Sequence, residues 1–75
     1  LIEKALMLDS AISQWYISHD LEYPEKLELV VMYGGIPNTV DLKMFIYKIS
    51  NDKKQYLLTV TLPDGTVYKS PNSKL

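Results

Sequence analysis

Residues 1–18 read LIEKALMLDSAISQWYIS, and the spacing of their apolar members decides the fold. Leu1, Ala5, Leu8, Ile12 and Trp15 follow one another at intervals of four, three, four and three. That is one face of an amphipathic helix, surrounded by strong helix formers. The helix is expected to end near Ser18, where His19 and Asp20 begin a polar break. A histidine there suits the negative end of the helix dipole. At the other end no Ser, Thr, Asp or Asn stands before Leu1, and the period is already running at the first residue. The reading is a helix that continues upstream in a parent protein. Turned at about 100° per residue, Ile2, Leu6 and Ile17 form a second apolar stripe, with the small residues Ser10 and Ser13 among them. A helix that only covered its own sheet would usually carry charge there. These three residues are the candidate assembly face.

Outward from the helix, Leu21-Glu22-Tyr23-Pro24 reads as an extended connection, because a residue before proline is pushed out of the helical region. Pro24 is expected to open a short second helix through Glu25, Lys26, Leu27 and Val30, stopped by Gly34-Gly35 and Pro37. Leu29-Val30-Val31-Met32 also fits a buried strand. From Asp41 the period changes to two. Phe45, Tyr47 and Ile49 alternate with Met44, Ile46 and Lys48, and Tyr56, Leu58, Val60 and Leu62 alternate with Leu57, Thr59 and Thr61. Asn51-Asp52-Lys53-Lys54 is a polar turn. Pro63-Asp64-Gly65 is a turn with a preset first torsion and a glycine for the left-handed position. Residues 66–69 return as a third strand, and residues 70–75 form a loose tail. The expectation is a single α+β domain: helix about 1–18, connection 19–40, three-stranded antiparallel sheet about 41–69, tail 70–75. Leu8, Ile12 and Trp15 should pack on the sheet face bearing Tyr56, Leu58 and Val60.

Composition narrows the function. A chain of 75 residues buries only about 60% of the surface its unfolded form exposes. It has no cysteine to staple it, and one histidine cannot make a metal site. A net charge of −1, with lysine as every basic residue, gives no footprint for nucleic acid or an anionic membrane. No apolar run approaches the roughly 18 residues of a membrane span. Ser18-His19-Asp20 has the residue types of a hydrolase triad, but adjacent residues do not face one another as catalysis requires. Glu25 and Glu28 read as a solvated face. Asp41, Asp52 and Asp64 lie in separate turns without calcium-loop spacing. Gly34-Gly35 lacks the rest of a phosphate loop. The expectation is no enzyme, no cofactor and no metal.

The order of the pieces carries a resemblance. The helix around Ala5-Leu6-Met7-Leu8 to Trp15-Tyr16 leads to Tyr23-Pro24-Glu25-Lys26-Leu27 and Gly35-Ile36-Pro37-Asn38. It closes with Tyr56-Leu57-Leu58-Thr59-Val60 and Asp64-Gly65-Thr66-Val67-Tyr68-Lys69-Ser70-Pro71. This resembles the soluble domain of type IV pilin-like proteins, including the pseudopilins of type II secretion. The resemblance implies an upstream apolar helix that anchors the subunit in the cytoplasmic membrane of a bacterial envelope, with this domain facing outward. It implies removal of a leader peptide, and partners that are other pilin or pseudopilin subunits in a helical filament, the isolated domain being a monomer. Two departures stand out. The disulfide of many pilins is absent, and residues 70–75 hold no side-chain carboxylate for the calcium site of major pseudopilins. Both favour a minor pilin or short pseudopilin. The rival is a secreted binding or inhibitor module of PepSY-like or cystatin-like type.

Overall fold

A computed structural model describes residues 1–33 and 41–75. Helix α1 spans Ile2–Ser18, and a second helix, α2, spans Leu27–Tyr33. A single 3₁₀ turn at Leu42–Met44 leads into strands β1 (Phe45–Ile49), β2 (Tyr56–Thr61) and β3 (Val67–Lys69). The strands form an antiparallel meander in the order β1-β2-β3, with Phe45 opposite Val60 and Val60 opposite Tyr68. The architecture is α+β, with the helices on one face of the sheet.

The periods read from the sequence explain these elements. Ala5, Leu8 and Ile12 are buried on α1, and Tyr56, Leu58 and Val60 on β2, so the helical stripe meets the inward face of the central strand. Leu27, Val30 and Phe45 complete the buried core. No side chain caps the start of α1, where Ala5 N–H donates to the Leu1 carbonyl. Gly65 takes φ of +90° in the β2–β3 turn, and Leu62 and Thr66 close it by a backbone hydrogen bond.

Three details depart from the sequence reading, and one open alternative is decided. Helix α2 begins at Leu27 and not at Pro24, because the Pro24 carbonyl is taken by the Tyr47 hydroxyl at 2.6 Å. Residues 29–32 are helical, so the strand alternative falls. Asp41 does not start a strand. Its side chain accepts from Lys43 N–H and caps the 3₁₀ turn, and β1 begins only at Phe45. Residues 70–75 are not loose. Beyond the end of β3, Ser70 N–H donates to the Leu58 carbonyl and Lys74 N–H to the Tyr56 carbonyl, while the Ser73 hydroxyl accepts from Leu58 N–H. The tail therefore continues the hydrogen bonding of β3 along β2, with one hydroxyl standing in for backbone. The Gly34-Gly35 and Pro37 stop lies outside the described residues.

Candidate functional site

The flank of α1 turned away from the core is where the sequence placed an assembly face. Ile2, Leu6 and Ile17 are 41%, 43% and 74% exposed. Ser10 between them is exposed and Ser13 half-buried. Helix α2 packs on the other side of α1, where Tyr33 meets Trp15 edge to face at 5.6 Å. Among the described residues the connection from Leu21 onward thus leaves this stripe open.

Asp9 sits on the shoulder between the stripe and the core, and it was not singled out from the sequence. It is only 3% exposed. Its carboxylate accepts a short hydrogen bond from the Tyr56 hydroxyl and another from Asn72 Nδ2 at 2.7 Å. Burial, with the Asp9 carboxylate alongside, pushes the Tyr56 phenol well above its ordinary range. Next to this pair, the Ser70 and Ser73 hydroxyls share a hydrogen bond of 2.6 Å. Helix, sheet and tail are joined here through one buried carboxylate. The available signal was a carboxylate only 40° from Ala5 on a helical wheel, at the margin of the apolar stripe.

Trp15 is half-buried but is not part of the core that α1 makes with the sheet. Its ring lies flat on His19, with centroids 3.7 Å apart. Trp15 is held instead by His19 and the edge of Tyr33. At this end of α1 the ring that reaches β2 is Tyr23, which stacks on Tyr16 at 4.4 Å and leans on Tyr56 at 4.6 Å. Burial pushes the Tyr23 and Tyr47 phenols above their ordinary range as well, so they resist ionisation.

Ser18 and His19 do approach each other, with Oγ 3.1 Å from Nδ1. The contact lacks the polarity of a nucleophile and its base. Ser18 donates to the Gln14 carbonyl at 2.9 Å, and Nδ1 lies 3.0 Å from the Trp15 carbonyl, which can only accept. Nδ1 therefore carries the proton, and both side chains satisfy the open carbonyls of the helix end. Asp20 takes no part. It and Leu21 adopt φ of 58° and 57°, a reversal held by Lys54 Nζ on the Leu21 carbonyl and by Tyr23 N–H on the Lys53 carbonyl.

Three further carboxylates, Glu25, Asp52 and Asp64, serve local structure. Glu25 pairs with Lys53 at 2.8 Å, and the lysine's hydrogen bond holds its carboxyl below the usual carboxylate range. Asp52 accepts from the Ser50 hydroxyl and Lys54 N–H, and Asp64 from the Thr66 hydroxyl and N–H. Both are held below the usual carboxylate range by those donors. Among the described residues no three His, Cys, Asp or Glu side chains gather as a metal site, and no helix is long and apolar enough to cross a membrane.

The class defined by these features is an α+β domain in which one long helix covers a three-stranded antiparallel sheet and keeps an apolar flank open. No protein family, curated protein or solved structure matches the chain.

Proposed function

We propose that this domain is a structural subunit of a type IV pilus or type II secretion-like filament, of the minor pilin or pseudopilin kind, assembling through α1. The observation that carries the proposal is the exposed row Ile2, Leu6 and Ile17 on a helix whose opposite side is sealed by the sheet. Apolar residues separated by small serines let another helix approach closely, and large exposed apolar surface generally marks a contact. The order of elements supports the same reading: a long helix, the Tyr23-Pro24 connection and an antiparallel meander. In this reading an apolar helix upstream of Leu1 anchors the subunit in the cytoplasmic membrane before assembly, with the domain outside it. The buried polar groups are absorbed by structure, so no catalytic role is assigned.

The test separates folding from assembly. Leu6→Lys and Ile17→Lys should leave the isolated domain's stability within about 0.5 kcal/mol, as at other surface positions. In the full-length protein the same changes should block filament assembly or secretion. Normal assembly by both variants would remove the proposal and leave the secreted binding or inhibitor module as the better reading.

A further inference from the structure

The hydrogen-bonding parity of the sheet shows which backbone groups face outward. Ser50 N–H donates to the Gln55 carbonyl, so Lys48 and Leu57, and Ile46 and Thr59, are the pairs that exchange bonds across β1 and β2. Phe45, Tyr47 and Ile49 therefore turn their backbone groups away from β2. Phe45 N–H is used by the Leu42 carbonyl. Among the described residues, the N–H and C=O of Tyr47 and Ile49 have no partner on that side. The opposite edge is different: β3 has three residues, is followed by Pro71, and passes into the bonded tail. Natural sheets blunt their edges in such ways. β1 has no proline, glycine or bulge and exposes Ile46, and Met44 immediately before it is exposed too.

A groove of about 310 Å³ lies between the start of α2 and β1, with Leu27, Leu42, Phe45 and Tyr47 as its apolar lining. Its charged lining is balanced, Lys26 and Lys43 against Glu25 and Glu28. The face of the sheet turned from the helices is not balanced. It bears Lys48 and Lys69, and the three strands contain no carboxylate.

We propose that β1 is a docking edge for an extended segment of another protein, which adds as a fourth strand. The segment places alternate apolar side chains in the groove and carboxylates on the outer face near Lys48. Main-chain bonds supply affinity in this mode, and the pockets for alternate side chains supply selectivity. A second copy of this chain is the poorer occupant, since its own strands bring lysine and no acid to the partner. The inference rests on β1 and the groove beside it, and stands apart from the role of α1.

The experiment uses the peptide acetyl-Val-Glu-Val-Glu-Val-Thr-amide as probe, with amide exchange of the domain read by nuclear magnetic resonance. At ten times its Kd the peptide should slow exchange at the Tyr47 and Ile49 amides about tenfold. N-methylation of the peptide amides that face β1 should abolish this, while methylation of the intervening amides should not. Lys48→Glu should reverse the preference, so that the peptide with Lys in place of Glu binds better. Leu6→Lys should bind the probe as well as the parent does. Binding that is indifferent to N-methylation overturns the proposal. So does an absence of any effect at β1, or protection there that grows with domain concentration alone, which would make the occupant a second copy.

Discussion

Removing the Tyr56 hydroxyl tests how the helix, sheet and tail are joined. Asp9 is 3% exposed, and its two hydrogen bonds come from neutral donors, Tyr56 and Asn72, with no lysine bonded to it. Tyr56→Phe keeps the ring in the core but leaves the buried carboxylate with Asn72 alone. A hydrogen bond to a charged group contributes about 1.5–3 kcal/mol, and stranding a buried one exposes the full desolvation cost. The expected loss is therefore about 2–3 kcal/mol. For 75 residues the whole stability is about 4–11 kcal/mol, so the loss is a large fraction of it. In a domain this small the melting temperature should fall by roughly 10–20 °C. Urea unfolding followed by circular dichroism measures it. The sharper measurement adds Asp9→Leu. With both polar partners gone no charge is stranded, so the double variant should be more stable than Tyr56→Phe alone. Additive losses, or a Tyr56→Phe cost under about 0.5 kcal/mol, would refute the reasoning.

Leu58 is fully buried, so Leu58→Ala should cost about 2–5 kcal/mol in the same urea assay, and Leu8→Lys should prevent folding altogether. Trp15 is half-buried and off the sheet, so iodide should quench part of its fluorescence in the folded domain; complete protection would put it back in the core. In the folded domain burial pushes the Tyr23, Tyr47 and Tyr56 phenols above their ordinary range, whereas in the unfolded chain tyrosine ionises near 10. Their contribution to stability is complete below about pH 10 and is lost as pH rises beyond it, so tyrosinate absorbance from these three should appear together with unfolding. Asp52 and Asp64 are lowered, so their contribution is present above about pH 4 and lost as pH falls below it, which acid titration of the melting temperature checks. Melting curves with calcium and with chelator should overlay, since calcium needs six or more oxygens around one point; a rise of several degrees with calcium would contradict this.

The helix, the three strands and both hairpin turns were legible because each is written in local spacing. Periods of 3.6 and 2 show in a window of a dozen residues, and Asp64-Gly65 announces its own turn. The burial of Leu8, Ile12, Leu58 and Val60 follows from the same periods, since each lies at the centre of its stripe. Residues at a stripe's margin were not decided in this way. Trp15 had the right spacing, but a tyrosine from the connection occupies the sheet beside it. Asp9 is polar by composition yet buried, because partners 47 and 63 residues away reach it. The tail carries no periodic pattern at all, and its order comes from Leu58 and Tyr56 backbone groups that β3 is too short to satisfy. Buried backbone polar groups must find partners, and which segment supplies them depends on where the chain returns in space. That is a property of the packed fold, which no local window contains.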